Sequence, residues 1–471
     1  MPDSWTLDDD RCFSPDPRVR ARARELYQPL RQLPIVAPHG HVPPALLADP
    51  DARFGDPAEL FIKPDHYVFR MLYSQGVPME DLGVPTRDGT SKGRDPREIW
   101  RTFCEYFELF QGTPTGLWLK AELIELFGVT ARPSAETADA LYDQLQAALD
   151  SDAFRPRALF ARFGIEVLTT TDAATDDLSE HAQIQAAGLP VRPTFRPDAL
   201  LRVADAEWHS NLVLLESRCG REIDDLSGFR EALRGRRDAF RERGAAASDH
   251  GVESPFIAPL DQADACAIFA RALAGSASTE EAAAFHAHML FELAGMAVDD
   301  GLVMQLHVGS FRDHHRRIFE RFGRDRGADV PVAVDWTRGL HALLNAYGHD
   351  PRFRLIPFTL DESTYARELA PLAGHYPALR LGGPWWFFDS VLGFDRYLDR
   401  TVETAGVYNL AGFNDDTRAF ASIPTRHDVW RRSVANWLAG SVERGLIDAD
   451  QAPEMASWLA YGAANDAYRL S

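Results

Sequence analysis

The sequence predicts an α/β fold, a distorted (β/α)8 TIM barrel, on three observations. Short apolar runs recur between about residue 30 and residue 413, eight of them in all. Stretches with helical spacing separate these runs, the alternation that builds a parallel sheet flanked by helices. Polar, chemistry-bearing side chains stand repeatedly at the carboxyl ends of the runs, where barrels of this kind collect function.

The first strand, 33–37, leads directly into Pro38-His39-Gly40-His41. Histidines at i and i+2 of an extended segment point to the same side, so both imidazoles can reach one metal ion. The interval to the second strand, 164–170, is far too long for a single helix. Inside it, Asp95-Pro96-Arg97-Glu98 combines an N-cap, a proline at the first helical position and a glutamate three residues on. Trp100, Phe103, Phe107 and Phe110 follow as an aromatic stripe, and Ser134 opens a further helix with Ala138, Leu141, Leu145 and Leu149 on one face. Residues 42–160 therefore read as a mainly helical insertion packed over the barrel mouth, its stripes being core. Further strands are expected at 189–194, 245–248, 302–307, 353–358, 379–381 and 407–413, the Ala-rich fourth being the weakest. Residues 430–471, with Trp430, Val434, Trp437 and Leu438, read as closing helices, so that 1–471 forms a single metal-dependent barrel domain. No internal repeat, low-complexity tract or Gly-rich phosphate loop interrupts this pattern.

Composition narrows the partners. A chain of 471 residues that is 45% hydrophobic and 25% charged is ordinary for a globular protein. Its net charge of −20 excludes a basic footprint for nucleic acid or for an anionic membrane. An anionic substrate would be repelled at long range and would need a local arginine cluster. Cys12, Cys104, Cys219 and Cys266 are scattered without CxxC spacing and read as reduced thiols. The stretch from Met1 to Asp10 is polar and acidic, not a signal peptide, and no apolar run approaches the ~20 residues of a membrane span. The expectation is a soluble, cytoplasmic protein with no nucleic-acid or membrane partner; homo-oligomer formation is left open.

Candidate functional residues follow the strands in turn. They are Thr171 and Asp172, then Arg196 in Pro193-Thr194-Phe195-Arg196-Pro197-Asp198, then Asp249 and His250. His307 ends the fifth strand, with Arg312 close behind; the seventh leads to Trp385-Trp386-Phe387-Phe388-Asp389, and the eighth to Asn414-Asp415-Asp416-Thr417-Arg418. Several have plainer readings. Asp172, with Asp176 and Asp177, suits a helix N-terminus. Asp198 suits a turn or cap, His314 and His315 a solvated helix, Trp385 and Trp386 either core or a sugar face, and Asp415-Asp416 a solvated acidic turn. A histidine pair on the first strand, a histidine on the fifth and an aspartate after the eighth nevertheless form a metal constellation that chance assembles far less readily than any one member.

These segments carry a family likeness. Pro38-His39-Gly40-His41, Asp65-His66-Tyr67-Val68-Phe69-Arg70, Thr169-Thr170-Thr171-Asp172, Ser248-Asp249-His250, Gln305-Leu306-His307-Val308-Gly309, Pro384-Trp385-Trp386-Phe387 and Asp416-Thr417-Arg418-Ala419-Phe420 stand in the order and rough spacing of the uronate (glucuronate) isomerases. Together with the Arg196 segment and Arg426-His427, the chain resembles that family of the amidohydrolase superfamily over most of its length. The resemblance implies aldose–ketose isomerisation of hexuronates, D-glucuronate to D-fructuronate and/or D-galacturonate to D-tagaturonate, by metal-assisted proton transfer between C2 and C1. It implies that His39, His41 and Asp416 hold one divalent metal ion, zinc by its ligand type. His307 is either a further ligand or a hydrogen-bonding group, and the base is Asp416 or Asp249. Tyr67 would serve O1 and O2; Arg196, Arg312 and Arg418 would surround the sugar-acid carboxylate; His66 and Trp386 would line the sugar face.

The chain departs from the family pattern at Gly40 and Ala37, at Asp313-His314-His315 after Arg312, and at Thr359-Leu360-Asp361-Glu362. These departures read as a divergent member. Two alternatives share the same residues: an amidohydrolase-superfamily hydrolase or lyase acting on another carboxylated substrate, and a binding protein on a degenerate barrel. The three arginines favour isomerisation over the first, and the complete ligand set argues against the second.

Overall fold

The computed structural model describes residues 5–90 and 93–470; positions 1–4 of the acidic amino-terminal stretch lie outside them. Among the described residues ten strands are present: β1 Ile35–Ala37, β2 Ile165–Thr169, β3 Asp172–Ala173, β4 Val191–Arg192, β5 Phe195–Arg196, β6 Ala247–Val252, β7 Val303–Val308, β8 Ser310–Phe311, β9 Val330–Pro331 and β10 Leu355–Thr359. Apart from the antiparallel β8–β9 pair, every pairing is parallel. One sheet runs β1-β2-β4 and the other β10-β7-β6-β5-β3.

The two sheets are arcs of one distorted (β/α)8 barrel. β3 continues β2, and the ladder is unbroken between them, since Thr170 N donates to Arg192 O and Asp172 N to Thr194 O, both at 3.0 Å. β5 likewise continues β4 across Pro193, which has no N–H to give a ladder. The seventh and eighth positions shrink to the parallel bridges Leu355–Leu379 and Leu381–Leu410. A backbone bond from His41 N to Thr417 O, 3.0 Å, joins the last position to the first. All eight expected strands therefore have a counterpart, with two shifts. The fourth extends to Val252, so Asp249 and His250 lie within it rather than after it. The eighth begins with a 3-10 turn, Val407–Asn409, and only Leu410 onward pairs.

Strand alternation decides what points inward. Val303, Gln305 and His307 face the barrel axis, while Met304, Leu306 and Val308 pack against the surrounding helices. On β6 the same period turns Ala247, Asp249 and Gly251 inward. Val36, Val167, Ala247, Val303, Ile356 and Ala411 form the apolar lower layer, which the chain's own end closes from below with Ala464, Ala467, Tyr468 and Leu470. Tyr468 donates its hydroxyl to Gln305 Oε1 at 3.0 Å, satisfying a fully buried amide oxygen. With the bottom plugged, polar groups collect at the top.

Between β1 and β2 the chain is helical and has a core of its own. Asp95 accepts from Arg97 N and caps Pro96–Glu105, as its sequence requires. Trp100, Phe103, Phe107 and Phe110 are all buried, but the stripe crosses a break, since the helix ends at Glu105 and a 3-10 turn carries Phe107–Phe110. Ser134 does not open a helix. Its amide donates to Thr137 Oγ1 at 2.9 Å in a local turn, and the helix Ala138–Leu149 starts only after it. His66–Ser74, capped by Asp65, brings this region to the barrel mouth. The long helix Ile423–Glu443, with Trp430, Val434 and Leu438 buried, packs on the outside. Among the described residues, no helix is long and apolar enough to cross a membrane.

Candidate active site

A cavity of about 560 Å³ opens at the carboxyl ends of the strands. His41, His66, Tyr67, Arg196, Arg312, Trp386, Asp416 and Arg418, all singled out in the sequence, line it. His39, Asp249 and His307 form the buried layer beneath. The site therefore joins residues spread from position 39 to position 418.

At the floor, His39 and His41 leave β1 on the same side, with ring centroids 5.3 Å apart. Their Nε2 atoms stand 3.3 and 3.1 Å from Asp416 Oδ1. That oxygen is buried between the two rings without a hydrogen bond of good geometry, and among the described residues His39 Nδ1 and His307 Nε2 are buried with no hydrogen-bond partner. The donor atoms of His39, His41 and Asp416 lie within 4.8 Å of one another, and so do those of His39, Asp249 and His307. Buried nitrogen and carboxylate atoms that converge this closely form a group able to hold a metal ion.

The backbone reaches this geometry under strain. Asp416 has φ +41° and Trp386 φ +54°, left-handed values costly for residues with a Cβ. Asp416 is held from three directions, the two imidazoles on Oδ1 and the Trp385 indole N–H on Oδ2. Behind it, Asp415 accepts from His427 Nε2 at 3.1 Å, and the Arg426 guanidinium binds both the Asp415 carbonyl oxygen, at 3.1 Å, and Asp389, at 3.0 Å. Arg426 lies 3.7 Å over the Trp118 ring, a buried cation–π contact that fixes it in place. Asp415 and Asp416 are therefore no solvated turn.

A second chain of polar contacts runs along β5, β6 and β7. His307 Nδ1 and Asp249 Oδ1 are 2.6 Å apart, and Asp249 Oδ2 is 3.2 Å from Arg196 Nη1. Arg196 Nε donates to Asp198 Oδ2 at 2.9 Å, and Gly251 N donates to the same oxygen at 3.1 Å. Burial would raise the Asp249 carboxyl, but Arg196, His307 and His39 hold it well below the usual carboxylate range. Burial likewise opposes ionisation of Asp416, and the two imidazoles overcome it. His307 is lowered by burial, and His66 is pushed down to about 3, chiefly by burial and then by Arg418. Burial raises the Tyr67 phenol, which stays a neutral O–H.

Around the rim the arginines sit on loops. Arg312 Nη1 donates to Asp329 Oδ2 at 2.9 Å and stacks 5.0 Å over Trp386; Arg418 Nη2 donates to Asp325 Oδ2 at 3.0 Å. The His66 ring stands edge-on to Trp386 at 5.4 Å.

Several plain readings of the sequence are corrected here. Asp172 is no helix cap: it is a buried strand residue that accepts from Thr170 Oγ1 at 2.7 Å, and its carboxyl is pushed up to about 7 by burial. The following helix, Ser179–Ala186, is preceded instead by Asp176 and Asp177. Asp198 is more than a turn residue, since it buttresses Arg196. His315 caps the helix Arg316–Phe322 rather than lying within it, and His314 precedes it. Sequence reasoning passed over Asp325 and Asp329 altogether. Their partners are 93 and 17 residues away, and no local pattern marks them.

A (β/α)8 barrel that gathers a His/Asp group able to hold a metal ion and several arginines in one mouth is a barrel enzyme of amidohydrolase-like architecture. The particular family is equally plain: the chain belongs to the glucuronate isomerase family, whose model matches residues 18–468. It is 54% identical over 465 residues to a uronate isomerase of Nostoc punctiforme, covering 98% of each chain. It superposes on the crystal structure of glucuronate isomerase from Caulobacter crescentus with a TM-score of 0.97, at 45% identity over 99% of this chain and 98% of that one. The uronate isomerase of Thermotoga maritima gives a TM-score of 0.91 at 27% identity, covering 98% of this chain and 99% of that one. The protein is an isomerase, and its reaction is the isomerisation of hexuronates.

Proposed function

We propose that the cavity interconverts D-glucuronate with D-fructuronate and/or D-galacturonate with D-tagaturonate, with one divalent ion, zinc, held by His39, His41 and Asp416. The observation that carries this reading is the convergence of those three side chains on the floor of a cavity whose rim presents arginines. The reaction moves a proton from C2 of the open-chain aldose to C1. Its barrier lies in removing a weakly acidic C–H proton and stabilising the enediolate oxygen charge. The ion, when bound, polarises the oxygens at C1 and C2 as a Lewis acid.

The protein's own groups divide the remaining work. Asp416 borders the cavity and is the carboxylate placed to take the C2 proton and return it at C1. Asp249 lies one layer deeper, with Oδ1 against His307 Nδ1 and Oδ2 in an ion pair with Arg196, so it acts by fixing His307 and Arg196. The lowered His307 stays neutral near pH 7 and offers Nε2 toward the floor, as a further ligand or a hydrogen-bond partner. Tyr67, a neutral phenol on the cavity wall, can donate to O1 or O2 as charge develops there. Arg312 and Arg418 are set for the C6 carboxylate, for which a planar guanidinium is better shaped than an ammonium. Arg196 joins floor and rim. The flat faces of His66 and Trp386 exclude water from the sugar ring side.

The test is ketose formation from D-glucuronate and from D-galacturonate by the metal-replete protein. Turnover on either, lost with a chelator and restored by Zn²⁺, supports the reading; turnover that survives complete metal removal overturns the assignment of His39, His41 and Asp416.

A further inference from the structure

The cavity is not simply positive. Every arginine at its edge already has an acidic partner, so a substrate carboxylate must either share a guanidinium or displace a partner. Most partners are fixed. Arg196 is held by Asp198 and Asp249, both buried, and Asp198 is anchored in turn by Gly251 N. Arg426 is fully buried against Asp389. Asp329 is 2% exposed, and its second oxygen accepts from Asp313 N at 2.7 Å. Arg202 and Arg324 share Asp205 at the outer edge, bonded at 2.9 and 3.2 Å.

Asp325 differs from all of these. Its side chain is 42% exposed, and Arg418 is its one hydrogen-bond donor among the described residues. Its other oxygen stands 3.7 Å from Arg312 Nη1, too far for a hydrogen bond. The residue sits in a loop at φ +60°, a conformation that costs backbone energy. Its carboxylate thus lies between the two guanidinia, in the relation that the C6 carboxylate of a hexuronate would take.

We propose that Asp325 is an internal stand-in for the substrate carboxylate: it occupies Arg418 in the free enzyme and is displaced when a hexuronate binds. The proposal rests on the reading of Arg418 as a carboxylate-binding residue. Asp325 would keep the guanidinia ordered and neutralised, and would make entry selective, because only a ligand bearing its own carboxylate can replace it. A neutral hexose has nothing to exchange.

The experiment compares wild type, Asp325→Asn and Arg418→Lys for KM and kcat on D-glucuronate, and for inhibition by D-glucose as a neutral probe, after thermal melts show that each variant is folded. For Asp325→Asn the KM for D-glucuronate is expected to fall roughly threefold to fivefold, the size of one half-exposed ion pair removed from competition. The larger part of the change should sit in KM rather than kcat, with D-glucose inhibition unmoved. A KM that rises or stays the same, or D-glucose binding that tightens in parallel, would overturn the stand-in and leave Asp325 a strut for Arg418. If Arg418→Lys leaves KM unchanged, the carboxylate assignment of Arg418 fails first and takes the stand-in with it. If Arg418→Lys raises KM while Asp325→Asn does not lower it, the assignment survives alone.

Discussion

The floor and the rim of this cavity are built differently. On the floor, His39, Asp249 and His307 are between 1% and 4% exposed and stand on or directly beside parallel strands, so backbone ladders fix their spacing. At the rim, Arg312, Arg418 and Asp325 are between 35% and 42% exposed and stand on loops. On the proposed reading the floor meets the reacting carbons, where a displacement of an ångström costs orders of magnitude. On the same reading the rim meets a carboxylate several bonds away, where solvent and salt compete. Chemistry is thus placed where the fold is stiff, and substrate selection where it can yield.

The largest effect should come from the floor. Asp416→Asn preserves shape and can still accept from Trp385, but removes the charge between two imidazoles and the proposed base. We expect kcat to fall by about 10³-fold or more, at the upper end for one acid–base group, because the proposed metal-binding group loses its carboxylate as well. Steady-state kinetics with metal content measured on the same sample checks this. A variant that keeps both its metal and a kcat within tenfold of wild type would place proton transfer elsewhere and would break the division between floor and rim.

A rim substitution should cost less and appear in a different parameter. Arg418→Lys keeps the charge but loses the planar fork, so uronate use, read as kcat/KM, should weaken by ~1–3 kcal/mol. Most of the loss should be in KM. An equal loss in kcat would show that the rim takes part in the transition state, and the contrast would need redrawing.

The floor was far more legible in the sequence than the rim, for a physical reason. His39 and His41 are two residues apart on a strand, and a period of two is visible in the chain itself. His307 closes an apolar run that reads as a buried strand, and Asp249 follows the same alternation once β6 is seen to extend to Val252. The family likeness brought in Arg312 and Arg418. Nothing local could show that Asp325, between a short helix and a two-residue strand, meets Arg418 across the cavity mouth. Asp198 looked like a turn residue because its partner amide, Gly251, comes from another strand. The eight-strand alternation was readable in outline, but the seventh and eighth strands shrink to single bridges that propensity cannot distinguish from loop. Ser134 misled for the opposite reason, a cap-like residue spent on its own turn before the helix begins at Ala138.

The smallest effect, and the sharpest comparison, is with salt. Charges that are a third or more exposed are screened over a Debye length of ~10 Å at 0.1 M ionic strength and ~3 Å at 1 M, whereas groups on the floor feel little of this. Raising NaCl from 0.05 to 0.5 M should therefore raise KM for the hexuronate about twofold to threefold while kcat changes little. Screening of the long-range repulsion from the −20 net charge is common to both proteins, and within the cavity two further terms oppose each other. Salt weakens the attraction between Arg418 and the substrate carboxylate, and it also weakens the Asp325 pair that has to be broken first. In wild type they partly cancel, so the slope is shallow. In Asp325→Asn only the first survives, so KM should rise more steeply with salt from its lower starting value. Parallel slopes in the two proteins would mean that Asp325 does not compete for the guanidinium. A salt-dependent kcat in either protein would mean that the floor is wetter than its burial implies.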